Sequence, residues 1–428
     1  MPKKESDSTE IYEFKLKDGS VEEGIILESH DKNVVLIKRS DGYNIGIKKE
    51  DIKEKKVVGH QQNIGSTSVV KTETKKNLGR IGVILTGGTI SSKVDYKTGA
   101  VTPIKNPSEL IENIPGLNEI VEIKKISIPF NIDSSNITAE HWKILAKEIY
   151  EMLKDKEIQG VVVAHGTDTL HYTSAMISFM LEVNKPVIFT YSQRSVDRAS
   201  SDAFFNFKSA CIMALTDVAE VLVVGHEKTD DENCFAIYGT KVRKLHSTRR
   251  DAFRPINDLP VTLINKDLKL KFLKDDYNKK SGKEPKLNDK IEEKILLLKY
   301  TPNLNPKILD FVSKNYKGVV VESLGLGQIN IGGKYSFLEK LKELTKKIPV
   351  CFTTQCVYGE VNSNVYSVAR ELEKAGVIYL KDMLSEVAYV KLMHVLANVN
   401  EKEKIKQYML HNYQHEFNDR LQEKTFLY

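Results

Sequence analysis

Two short segments set threonine hydroxyls beside glycine at the ends of apolar runs. Thr86-Gly87-Gly88-Thr89-Ile90 follows RIGVIL, and His165-Gly166-Thr167-Asp168-Thr169 follows QGVVVA. A threonine hydroxyl attacks a carbonyl carbon when a base takes its proton, and the oxyanion that forms needs donors aimed at it. Glycine serves that need, because it lets the backbone turn sharply and leaves N–H groups uncovered. Each segment also has a plainer reading. TGGT suits a strand-to-loop turn, and Asp168 suits the N-terminus of a helix over LHYTSAMISFML. Two such turns in one chain point instead to hydroxyls and a carboxylate meeting in one crevice, at the strand ends where open α/β sheets gather ligands.

That crevice requires a parallel sheet, and the chain supplies the pattern for one. From Arg80, runs of β-branched residues (RIGVIL, QGVVVA, KPVIFTY) alternate with amphipathic stretches such as HWKILAKEIYEML. This alternation predicts an α/β unit with helices on both sheet faces, which we assign to residues 76–265 with the candidate site. Residues 266–292 are lysine-rich and weakly apolar and read as an exposed connection. A second α/β unit is expected over 293–428, where KGVVVESLGLGQ, FLEKLKELTKK, IPVCFTTQ and VAYVKLMHVLA continue the pattern. Ahead of both units, IYEFKL, VEEGIILES, NVVLIKR and YNIGIKK are broken by Asp18-Gly19 and Asp41-Gly42. These short strands predict a small SH3-like β-barrel, and the polar stretch GHQQNIGSTSVVKTETKKN reads as its tether, so that residues 1–75 form barrel and linker.

Composition bounds the rest. At 428 residues, roughly 150 residues per domain suggests about three folding units. With 41% hydrophobic and 29% charged residues, collagen-like, low-complexity and disordered classes are excluded. A net charge of +6 is too small to argue for nucleic acid by itself. No apolar run approaches the ~18 residues of a membrane span, and MPKKESDSTE leads into no apolar stretch, so a cytoplasmic protein is expected. Cys211, Cys234, Cys351 and Cys356 form no CxxC pair and read as buried or idle thiols. Gly325-Leu-Gly327-Gln-Ile-Asn330 lacks the third glycine of a dinucleotide fingerprint, and Gly327 to Tyr335 misses both the spacing and the Ser/Thr of a P-loop. Neither NAD nor ATP is expected to bind there.

TGGTI and HGTDT, in that order and at that separation, resemble the two signature motifs of the bacterial-type L-asparaginase family. The resemblance runs from about Arg80 to Tyr428 and implies a larger N-terminal and a smaller C-terminal α/β domain. It also implies amide hydrolysis through an acyl-threonine, with Thr89 at the family's nucleophile position and Thr167 and Asp168 at those of the HGTDT pair. The family's lysine falls on Lys244, nine residues before Phe253 in KVRKLHSTRRDAFRPIN. A lysine works as a base where burial or a cationic neighbour disfavours its charge, so Lys244 is expected inside the pocket; apart from the resemblance it reads as a surface lysine. Ser134, in NIDSSNIT, matches the serine that holds the substrate α-carboxylate. Tyr96 matches the tyrosine of a mobile lid, and Asn330 a residue that completes a neighbouring protomer's site, which implies an oligomer.

Asparaginases of this family begin almost directly with TGGTI, whereas here some 80 residues come first. That extension, with TTQCVYGEVNSNVYSVARELEKAGVI near the other end, resembles the asparaginase-like components of archaeal glutamyl-tRNA(Gln) amidotransferases. The resemblance implies a glutaminase: glutamine, or asparagine, is hydrolysed here to ammonia, with no cofactor in this chain. A partner, the E subunit of the amidotransferase, binds Glu-tRNA(Gln), activates its glutamate with ATP and Mg²⁺, and forms Gln-tRNA(Gln), while this chain homodimerises within the complex. The alternatives are a free-standing L-asparaginase with an appended barrel, and a binding module whose amidase site has decayed.

Overall fold

The computed structural model describes residues 8–27, 29, 31–39, 44–62, 78–88, 92–94, 101–103, 114–196, 198 and 200–428. The first unit is a five-stranded antiparallel sheet in the order Asn44–Lys48, Val34–Lys38, Val21–Leu27, Ser8–Leu16, Ile52–Gln62. Strand Ser8–Leu16 shifts register at Ile11/Tyr12 and Lys15/Leu16, the irregularity by which a strand bends. Phe14, Ile37 and Ile47 form its small core. Among the described residues no strand pairing closes this bent sheet into a barrel; a 3-10 turn, Lys49–Asp51, leads from one edge strand to the other. The last strand continues to Gln62, into the segment read as tether, and Gln62 pairs with Ser8. Its end, GHQQ, has no apolar alternation, so only the pairing partner reveals it as strand.

The second unit holds an eight-stranded sheet in the order Leu270–Phe272, Thr262–Asn265, Asn233–Tyr238, Val221–His226, Val187–Thr190, Gly160–Ala164, Arg80–Leu85, Glu122–Ser127. The last five are parallel and the first three antiparallel. Side chains alternate across the sheet. Val161 and Val163 share a core with helices Ala139–Lys154 and Leu170–Met180, whereas Val162 and Ala164 face helix Ala203–Ala214. Every residue of Gly160–Ala164 is therefore buried, which is why these strands read as unbroken apolar runs. The lysine-rich stretch is more than a connection: Leu270–Phe272 is an edge strand, and Lys286–Leu287 pairs with Leu181–Glu182. Edge strands tolerate lysine, and that composition hid them.

The third unit is a parallel sheet in the order Ile295–Lys299, Gly318–Ser323, Val350–Thr354, Ile378–Tyr379. Its helix Ser385–Asn398 packs against Leu170–Met180 of the second unit. Two fully buried ion pairs accompany this seam, Lys241–Asp382 at 2.7 Å and Lys391–Glu416 at 2.5 Å. Removing one member of such a pair strands a charge in the interior, a loss of about 3–5 kcal/mol. Cys211, Cys234 and Cys351 are buried, Cys356 is exposed, and all four are free. Among the described residues, no helix is long and apolar enough to cross a membrane.

Candidate active site

The two threonine-bearing turns meet where strands Arg80–Leu85 and Gly160–Ala164 end. The backbone N–H and Oγ1 of Thr86 both donate to Ala164 O at 3.1 Å, and Ile132 N–H donates to Thr86 O at 3.2 Å. The turns are packed too closely for side chains. Gly88, at φ +80°, would set a Cβ 2.4 Å from Gly166 Cα, and a Cβ on Gly166 would lie 2.7 Å from Ser134 Oγ. Only glycine fits such an approach. Thr89 and Tyr96, the expected nucleophile and lid residue, lie outside the described residues.

Beyond the glycines, Thr167 is buried while the Asp168 side chain is two-thirds exposed. Asp168 does not cap the following helix. Thr169 takes that position, without a side-chain cap bond, and its Oγ1 donates to Ser134 O at 2.7 Å. The Asp168 carboxylate is instead engaged by Lys244, whose Nζ donates to Asp168 Oδ1 at 2.9 Å and to Thr167 Oγ1 at 2.8 Å. Lys244 ends the strand Val242–Lys244, which pairs with Phe253–Pro255 so that Lys244 lies opposite Phe253. Phe253 in turn packs against Tyr191, ring centroids 4.4 Å apart. The Lys244 side chain is only 12% exposed. A hydroxyl, an ammonium and a carboxylate thus share one chain of contacts along which a proton can pass.

Ser134 is buried behind this group, its Oγ accepting from Asp168 N–H at 3.0 Å, which leaves its own O–H to donate. Asn330 stands apart on the third unit. It is exposed, its Oδ1 accepts from Gly332 N–H at 2.8 Å, and its N–H donates to Tyr300 Oη at 3.2 Å. No hydrogen bond among the described residues links it to Lys244 or Thr167.

Two histidines beneath the site, His165 of the HGTDT segment and His171 of the helix that follows, carry no role that the sequence alone suggests. His165 is fully buried, donates from Nδ1 to Gly166 O at 2.6 Å, and has no partner for Nε2 among the described residues. Burial holds its pKa down to about 4. His171 is brought down to about 3, by burial first and then by the Arg243 and Lys244 cations. Both are neutral at pH 7. Among the described residues, no three His, Cys, Asp or Glu side chains gather in a way that could hold a metal ion.

Residues 80–276 match the family model "Asparaginase, N-terminal", residues 294–409 match "Glutaminase/Asparaginase C-terminal domain", and residues 13–58 match "GatD N-terminal domain". Over 423 residues, 97% of this chain and 95% of the relative, the sequence is 44% identical to the D subunit of the glutamyl-tRNA(Gln) amidotransferase of Pyrococcus furiosus. This chain belongs to the GatD family of glutamyl-tRNA(Gln) amidotransferases. The corresponding D subunit of Thermococcus kodakarensis is 41% identical over 411 residues, 95% of this chain and 92% of that one. Among solved structures, the thermostable L-asparaginase of T. kodakarensis superposes with a TM-score of 0.71 at 29% identity, covering 80% of this chain and all of that one. The GatD family thus joins an asparaginase-like body to a further N-terminal domain, and the Thr167–Asp168–Lys244 group lies in the body.

Proposed function

We propose that this chain is the glutaminase component of a tRNA-dependent amidotransferase, releasing ammonia for the conversion of Glu-tRNA(Gln) to Gln-tRNA(Gln). The observation that carries the chemistry is the Lys244 ammonium within 2.9 Å of both Thr167 Oγ1 and Asp168 Oδ1. In this reading Thr89 Oγ attacks the side-chain amide carbon, and backbone N–H groups of the glycine turn hold the oxyanion. The C–N bond breaks, the proton given up by the Thr89 hydroxyl ends on the departing nitrogen, and ammonia leaves an acyl ester on the enzyme. Water then adds to the ester, one of its protons is relayed by way of Thr167 and Lys244 to the departing Thr89 oxygen, and the acid product leaves with the threonine hydroxyl restored. Ser134 donates to the substrate α-carboxylate, and the exposed side of Asp168 faces its α-ammonium. Tyr96 covers the pocket, and Asn330 contributes to the site of a second copy in a homodimer.

Activation of the tRNA-bound glutamate, with ATP and Mg²⁺, belongs to the partner, the E subunit. The T. kodakarensis asparaginase likeness supports a second reading, free-standing asparagine hydrolysis. Ammonia release from glutamine and from asparagine, by the chain alone and with the E subunit, Glu-tRNA(Gln), ATP and Mg²⁺, separates the two. Strong stimulation of glutamine hydrolysis by the full set is expected. Vigorous asparagine hydrolysis by the lone chain, indifferent to every addition, would replace the proposal with the second reading.

A further inference from the structure

The strand that presents Lys244 is held from its opposite face by the C-terminal unit. Side chains alternate along an extended strand, so Lys244 turns toward Thr167 while Arg243 turns away from it, and Lys241 stands in the turn that leads into the strand. Lys241 Nζ donates to Asp382 Oδ2 at 2.7 Å, with both side chains wholly buried. Asp382 is itself fixed, accepting from Asn418 N–H at 2.7 Å and Asn418 Nδ2 at 2.8 Å. Arg243 Nη2 lies 2.9 Å from Glu386 Oε1, a buried carboxylate in the first turn of helix Ser385–Asn398. Glu386 Oε2 has no partner among the described residues, and burial pushes the Glu386 pKa up against the opposing pull of Arg243. A carboxylate half-satisfied in the interior is a poor source of stability. What it does provide is direction, because it fixes the guanidinium next to Lys244 in the chain.

We propose that Asp382 and Glu386 are positioning residues for the amide-hydrolysing site: through Lys241 and Arg243 they hold strand Val242–Lys244 where Lys244 Nζ reaches Thr167 and Asp168 together. The inference rests on the role of Lys244 proposed above. Reactivity at such a centre falls steeply with small displacements, about 100-fold for 1 Å, so loosening the clamp should act on turnover and spare substrate binding.

The test is steady-state glutamine hydrolysis by the full chain in its assembled amidotransferase, comparing Glu386→Ala, Arg243→Met, their double variant and Lys244→Ala. Each clamp variant should lose about 10- to 100-fold in kcat with KM within about twofold of the parent. The double variant should be no slower than the worse single, because both substitutions cut one connection. Unchanged kcat in the singles, a loss confined to KM, or losses that multiply in the double would each overturn the clamp. An active Lys244→Ala protein would defeat the underlying reading; an inactive one beside a parent-like Glu386→Ala would defeat the clamp alone. Asp382→Ala strands Lys241 in the interior and is prone to misfold, which is why the cycle is built on the partly exposed Arg243 and its partner.

Discussion

The parallel strands of two sheets in this chain end in polar loops, and their hydroxyls are put to different uses. At the carboxyl ends of Gly318–Ser323 and Val350–Thr354, Ser323 and Thr353 are wholly buried. Ser323 Oγ donates to Thr353 O at 2.5 Å, Thr353 Oγ1 shares a 2.8 Å hydrogen bond with Ser385 Oγ, and Gln355 Nε2 donates to Glu322 O at 2.9 Å. Their polar groups are consumed by the fold. At the matching end of Arg80–Leu85 and Gly160–Ala164, Thr86 is spent in the same way on Ala164 O, but Thr167 and Asp168 project past the strand ends to meet a lysine from a separate hairpin. The strand-end rule of α/β sheets selects both places. A cation delivered by a third element sets one of them apart, and it is there that we place the proposed chemistry.

Removing that cation should produce the largest effect. Lys244→Ala is expected to lower glutamine-dependent formation of Gln-tRNA(Gln) at least ~1,000-fold, the scale of losses when one member of a nucleophile–base unit is deleted. Formation driven by added ammonium chloride should persist, because free ammonia bypasses amide hydrolysis. Initial rates with each nitrogen donor decide the matter. Glutamine-dependent activity within tenfold of the parent would remove Lys244 from the mechanism and dissolve the contrast between the two sheet ends.

The contrast is only half legible in the sequence. Both signature turns stand out because glycine and threonine close an unbroken apolar run, and the alternation of such runs with amphipathic helices foretells both α/β units. Lys244 gives no such signal. It lies 76 residues from Asp168, and its neighbours Arg243 and His246 would suit a solvated loop equally well; only pairing with Phe253–Pro255 carries it inward. Arg243 and Glu386 are invisible for the same reason, since partners on different units share no local pattern. The antiparallel edge strand Leu270–Phe272 escapes because LKLKF alternates on a stretch rich in lysine. The physical cause is common to all three: period and composition report burial along one segment, whereas these features depend on which segment arrives opposite.

A second effect follows from the histidines packed beneath the first sheet end. His165 and His171 have folded-state pKa values near 4 and 3 because of burial, against about 6.5 in an unfolded chain. Above pH 6.5 both states hold these rings neutral and stability is unaffected. As pH falls below 6.5 the unfolded chain takes up protons that the folded one refuses, so stability declines by about 1.4 kcal/mol per pH unit for each histidine, until the folded pKa is reached. Urea midpoints should therefore drop steeply between pH 6.5 and pH 4.5. His171→Leu should make that slope shallower by the share of one histidine. An unchanged slope would mean that His171 titrates freely and that the site has a wetter floor than its packing implies.

The smallest effect is the most pointed comparison, because it sets one hydroxyl against another. Ser323→Ala deletes a buried donor to Thr353 O and should cost about 1 kcal/mol of stability, the usual net value of one such bond, with kcat and KM for glutamine unaltered. Thr167→Val, nearly isosteric, should do the reverse, leaving the unfolding midpoint within about 1 kcal/mol of the parent while glutamine hydrolysis is lost. Measured side by side, the two variants ask whether a strand-end hydroxyl is defined by its residue type or by its neighbours. If Ser323→Ala also lowered kcat, the second sheet end would be coupled to the first, and the division of structural from chemical hydroxyls would have to be redrawn across the seam formed by helices Leu170–Met180 and Ser385–Asn398.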